Sequence, residues 1–241
     1  MNSLTYVLLL LALLALVVDP GPRLRLPARI RSWLRSRRHG PGASAAARAR
    51  QLRTPAVRLA EALGIPTRRG REAAQWEAGA AGERRTAVRL AALEREGWTV
   101  LHDRALPRGR ANVDHLAISP RGRVYLPDTK RWSARRPLTV SDGRLLHGHR
   151  DVTSRLRGLR HEAQAVARAL NIPVRPLAVM DGPPMPANGL VLDGLFIVRA
   201  DRLCEELRRL DALLQAPHRG PAALAATADR LLPPYRQGRR R

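Results

Sequence analysis

Met1 to Val18 carries no charged side chain, and as a helix it would run roughly 27 Å at about 1.5 Å per residue, close to the thickness of a bilayer's hydrocarbon core. Pro20, Gly21, Pro22 and Pro27 follow at once, so the run cannot continue into the rest of the chain as one element. Its flanks decide between the remaining fates. A secretory signal asks for basic residues ahead of the apolar stretch and a small-x-small site behind it, whereas no Lys or Arg precedes this one and it ends Val17-Val18-Asp19-Pro20. An uncleaved membrane-anchor helix is therefore expected over 1–19. From Pro20 to Ala60 there are eleven arginines and no acid. By the positive-inside rule this keeps everything downstream on the cytoplasmic side, as a single-pass membrane protein whose basic linker, 20–71, touches anionic lipid.

Charge is the next constraint. Forty-four Lys and Arg against 20 Asp and Glu give a formal net charge of +24, an excess that calls for a polyanionic partner, nucleic acid or anionic lipid, with acidic proteins as poor candidates. Aromatics at 3% leave little for platforms that stack successive bases. A single cysteine, Cys204, excludes an intramolecular disulfide and a cysteine-built zinc site. All but one of the 44 basic residues are arginine; the exception is Lys130. A lysine that survives such a bias marks a place where a compact ammonium does what a guanidinium cannot.

From Glu72 helical and extended patterns alternate, which predicts a mixed α/β domain over 72–200, followed by C-terminal helices and a basic tail over 201–241. A helix is expected from Glu72 to Glu96, ended by Gly97, with Glu83, Ala87 and Leu90 on its inward face. Strands are expected at 98–102, 113–118 and 123–130, the last two forming a hairpin around Ser119-Pro120-Arg121-Gly122. A second hairpin surrounds Ser141-Asp142-Gly143. Apolar residues at 152, 156, 159, 163, 166 and 170 define one helix face. Strands at 174–180 and 191–198 and helices at 201–215 and 221–232 complete the reading.

Alternate residues of a strand share a face, so Asp128 and Lys130 project together from the second arm of the hairpin, with Val124 and Leu126. A four-residue connection puts Asp114 opposite residue 127 or 128, bringing two carboxylates close enough to share one cation. Mg²⁺, or Mn²⁺, is content with one or two carboxylates plus waters and a substrate phosphate. Asp114 and Asp128 are the expected metal ligands, Lys130 the group that holds an attacking water, and Glu83 a third carboxylate if its helix packs over the sheet. The plainer alternative for Asp128 and Lys130 is a surface ion pair worth under about 1 kcal/mol. Arg131, Arg135 and Arg136, just past Lys130, form either a basic loop that contacts nucleic acid or a solvated face. His147-Gly148-His149 lacks neighbouring carboxylates and makes a poor metal site. No P-loop, GxGxxG or Ser-His-Asp arrangement is visible.

Taken together, Gly79-Ala80-Ala81-Gly82-Glu83, Asn112-Val113-Asp114-His115, Ser119-Pro120-Arg121-Gly122 and Asp128-Thr129-Lys130 resemble the nuclease-related (NERD) domains, a branch of the PD-(D/E)XK nuclease superfamily. The resemblance runs from about Trp76 to Leu170. It implies a restriction-endonuclease-like fold, a mixed sheet flanked by helices. It makes Asp114 the first motif acid, Asp128 and Lys130 the acid and lysine of the second, and Glu83 the helix acid. Pro127 departs from a regular central strand, because proline cannot donate to a sheet ladder. The function so implied is a membrane-anchored, metal-dependent nuclease acting on nucleic acid, DNA in the first instance. The alternatives are a nucleic-acid-binding or scaffold module that has lost turnover, and a protein whose charge serves the lipid surface alone.

Overall fold

The structure, a computed structural model, describes residues 40–107, 111–213 and 220–235. The expected anchor over 1–19, the linker as far as residue 39 and the basic tail from Arg236 lie outside the described residues. Among those described, no helix is long and apolar enough to cross a membrane.

The expected linker ends sooner than its arginines suggest. Helix α1 (Ala43–Leu52) and helix α2 (Pro55–Ala62) occupy part of it, and α3 (Arg68–Glu94) starts four residues ahead of the expected Glu72. The physical reason is alanine. The sequence of α1 is rich in the best helix former, and its Ala45 and Ala49 are buried against α3. Thr54 and Thr67 cap α2 and α3 by accepting from the N–H groups of Val57 and Gly70. On α3 the inward residues are Gly82, Glu83, Thr86, Leu90 and Leu93, so Thr86 takes the place expected of Ala87.

Six strands form one mixed sheet in the order β1-β2-β3-β7-β9-β8. Strands β1 (Thr99–Ala105), β2 (Asn112–Ile118) and β3 (Val124–Arg131) are antiparallel; β3 pairs parallel with β7 (Val174–Asp181), and β7 parallel with β9 (Leu195–Arg199). The stretch 191–198, expected as one strand, is a hairpin of β8 (Leu190–Leu192) and β9. Asp193 (φ 46°) and Gly194 (φ 72°) turn the chain there in the left-handed region that a two-residue hairpin requires. A small second sheet holds β4 (Leu138–Ser141), β5 (Arg144–His147) and β6 (Arg150–Asp151), with Asp142 and Gly143 as its expected turn.

Between β3 and β7 runs α4 (Arg157–Leu170), entered through a 3₁₀ turn at Thr153–Leu156. Val152, Leu156, Leu159, Ala163, Val166 and Leu170, the predicted face, are all buried. They join Val124, Leu126, Ala178 and Ile197 in the core on one side of the sheet. Helix α6 (Pro221–Leu231) adds Leu224 and Ala228 there. On the other side Leu90 and Leu93 of α3 and Leu203, Leu207 and Leu210 of α5 (Leu203–Leu213) pack on Tyr125, Leu177, Val179 and Val198. The sheet is thus sandwiched between helices. Beyond α6 the chain returns to β1: the Ala105 N–H donates to the Pro233 carbonyl and the Tyr235 N–H to that of Asp103, both at 2.8 Å, while the buried Arg104 reaches the Leu232 carbonyl and Asp229.

Candidate active site

Strand alternation places the central pair. Val124 and Leu126 face α4, so Asp128 and Lys130 follow on that side, and Lys130 Nζ lies 2.6 Å from Asp128 Oδ2. Thr129 faces the opposite way, its Oγ1 2.7 Å from Thr86 Oγ1 of α3. That contact fixes the helix against the strand and with it the position of Glu83.

The sheet opens where these residues sit. Strand β3 pairs with β7 along its whole length, yet pairs with β2 only at Tyr125–Ala117 and Val124–Ile118. The ladder stops before Pro127, which has no N–H to give. Continued at the same register, it would set Asp114 across from Asp128. On its other side β2 loses a rung as well: His115 pairs with His102 and Val113 with Arg104, while Asp103, between them, adopts a φ of 48°. Asp114 therefore has a ladder rung on neither side. Asp103 is held in its turn by the Ser44 N–H on Oδ2 (3.0 Å) and by Asn112 Nδ2 on Oδ1 (2.8 Å).

Carboxylates crowd into this opening from both faces. Burial, then the charges of Asp103 and Asp128, push the Glu83 carboxyl up to about 7, against support from the Gly42 N–H. Burial and the charges of Glu83, Asp128 and Glu162 raise Asp114 well above the usual carboxylate range, with Lys130 opposing. On α4, burial and Asp128 push Glu162 up to about 7. Lys130 behaves differently. Burial acts to lower its pKa, but Asp128, Asp114 and Glu162 outweigh it and the ammonium is held above its ordinary value. Glu83 is only 7% exposed and its Oε2 has no hydrogen-bond partner, an expensive state for a buried carboxylate oxygen.

The structure thus brings together Glu83, Asp114, Asp128 and Lys130, and adds Glu162, which sequence reasoning missed. Its one signal was position: it borders the apolar stripe between Leu159 and Ala163. Arg131, Arg135 and Arg136 are exposed at and beyond the end of β3. A pocket of about 640 Å³ lies there, lined by Arg85, Arg131, Trp132 and Asp181 among others, with Arg85 Nη2 2.6 Å from Asp181 Oδ2. His147 contacts Trp132 and the Ser133 carbonyl. Beneath the opening His102 and His115 share a 2.8 Å Nδ1 to Nδ1 hydrogen bond, and burial holds both well below the usual histidine range.

Among the described residues no three His, Cys, Asp or Glu side chains stand in a metal-holding arrangement. The donor set nevertheless fits a hard cation of the Mg²⁺ kind, which needs only one or two carboxylates with waters. Several buried carboxyls with one ammonium among them, and an orphaned Glu83 oxygen, leave a deficit of positive charge that such an ion would fill.

An acidic cluster thus surrounds a strand-borne lysine at a split in the mixed sheet of an α/β domain. Residues 78–181 match the family model of the nuclease-related domain. That segment is a NERD domain, a family whose general placement is the PD-(D/E)XK superfamily, and it contains Glu83, Asp114, Asp128, Lys130 and Glu162. No curated protein and no solved structure matches the chain.

Proposed function

We propose that the chain is a metal-dependent nuclease of restriction-endonuclease-like fold that hydrolyses phosphodiester bonds of nucleic acid, DNA in the first instance, and that Met1–Val18 and the arginines after it hold it at the cytoplasmic face of a membrane. The observation that carries the catalytic reading is the convergence of Asp114, Asp128 and Lys130 with Glu83 and Glu162 in the opening between β2 and β3. Asp114 and Asp128 are the groups to hold Mg²⁺ or Mn²⁺, with Glu83 toward its waters. When bound, the metal supplies charge stabilisation at the phosphoryl oxygens. Lys130 stays protonated, so it orients the attacking water and neutralises developing charge rather than taking a proton. Glu162, poised near neutral pH, is suited to accept the water's proton as oxygen bonds to phosphorus and the ester oxygen departs. Arg131, Arg135 and Arg136 hold the nucleic-acid backbone.

A second reading, a nucleic-acid-binding module without turnover, is favoured by one observation: Lys130 already occupies Asp128 at 2.6 Å. Cleavage assays of the full chain on supercoiled plasmid, linear DNA and structured RNA with Mg²⁺, Mn²⁺ or EDTA separate the two. The nuclease reading expects metal-dependent cutting that drops about 10²- to 10³-fold in Lys130→Ala and by a similar factor in Glu162→Gln, with binding retained. Binding without cutting under every metal condition would leave the module reading standing.

A further inference from the structure

We propose that the corner between α2 and α3 is a lipid-contacting tip that inserts into the headgroup layer of an anionic bilayer. The proposal rests on nothing in the active site. Helix α2 buries Val57 and little else, while Leu59, Leu63 and Ile65 are 63%, 66% and 54% exposed, an unusual grouping of large aliphatic side chains on one short stretch. The turn that presents them is fixed. Gly64 adopts a φ of 70°, and Thr67 caps α3 two residues after Ile65, its Oγ1 accepting from the Gly70 N–H at 3.0 Å.

Around this apolar centre stand Arg58, Arg68, Arg69 and Arg71, all exposed. Of the acids beside them in the chain, Glu61 is engaged by Arg53 at 3.2 Å and Glu72 by Arg48 at 3.8 Å. An apolar tip with a cationic rim is the chemistry of interfacial lipid binding: aliphatic side chains enter the acyl boundary and arginines near the surface are drawn to anionic lipid. A nucleic acid would use the arginines but not three aliphatic side chains. A protein groove would use the aliphatic residues, and only an acidic one would match the rim. The apolar run Met1–Val18, upstream in the same chain, supplies a second reason for headgroups to be within reach.

The test uses the full chain with Cys204→Ala and a nitrobenzoxadiazole label on Leu63→Cys, mixed with vesicles that carry doxyl-labelled lipid. With phosphatidylcholine and phosphatidylglycerol the label's emission is expected to shift blue and to fall by about half through contact with the doxyl groups. In phosphatidylcholine alone, or after Arg68→Glu and Arg69→Glu, that quenching is expected to disappear. A label at exposed Arg144→Cys is expected to stay unquenched. An unquenched label at 63 in anionic vesicles overturns the proposal. So does equal quenching at 63 and 144, equal quenching with and without phosphatidylglycerol, or a blue shift already complete in vesicle-free buffer, which would mean that another part of the chain covers the tip. Nuclease activity can survive or fail independently of each result.

Discussion

Lys130 is a cation among acids, and its environment decides how it works. Because Asp128, Asp114 and Glu162 together overcome the effect of burial, it keeps its proton through the neutral range and offsets part of the carboxylate repulsion. What it leaves uncompensated has a thermodynamic consequence. Glu83 and Glu162 rise from 4.5 to about 7 on folding, and Asp114 rises too. These carboxyls bind more protons in the native state than in the unfolded chain between those values, so their share of the stability falls as pH rises from about 4.5 to about 7, while His102 and His115, held down to about 4 and about 3, act the other way below about 6.5. The carboxyl share is read by difference: in urea denaturation with EDTA, Glu162→Gln should gain stability relative to the unaltered chain as pH rises through that window. A stability difference between the two chains that does not change with pH would sink the assignment of Glu162 to this cluster. Asp114, Asp128 and Lys130 were legible in the sequence because strand alternation is short-range, and Glu83 because helix spacing is. Glu162 was not: it meets the others only because α4, which begins 29 residues after Asp128, packs back over the sheet, which no local pattern records.

At the scale of elements, α1 is the piece that the sequence disguised. Its arginines made 20–71 look like a solvated linker, yet its amino end supports the site, with the Ser44 N–H on Asp103 and the Gly42 N–H toward Glu83. A chain beginning at Glu72 lacks both donors. It should be less stable than one beginning at residue 40 by about 3 kcal/mol or more, the order expected for two hydrogen bonds to buried carboxylates, as read from urea midpoints. Gly42→Ala tests the same contact more gently. Gly42 has a φ of 72°, and an added Cβ would meet the Ala80 carbonyl oxygen at 2.6 Å, so the helix must shift and a loss of about 1–3 kcal/mol is expected. The two hairpin turns show the other limit of local reading. Ser141-Asp142-Gly143 sits between short apolar pairs and announces itself. Asp193-Gly194 has Leu192 before it and Leu195 after it, so the apolar run across it read as one strand when it is two.

Over the whole molecule, the net charge of +24 predicts nucleic-acid affinity that falls steeply with salt. If Arg131, Arg135 and Arg136 each meet a phosphate, replacing all three with alanine should lower the slope of log affinity against log salt by about 3. Filter binding at several salt concentrations measures it, and an unchanged slope would move the contact surface elsewhere. The mixed α/β class was legible from the alternation of periods; the order of the strands was not, because it depends on which helices cross the sheet. The return of the chain to β1 bears on solubility. β1 is an edge strand, and such an edge templates pairing between molecules unless something covers it. Residues 232–235 cover it at Asp103 and Ala105, while the opposite edge, β8, is three residues long. A chain cut back to Leu231 would uncover donors and acceptors on β1 beside the kink at Asp103, and self-association growing with concentration is the failure to expect from it.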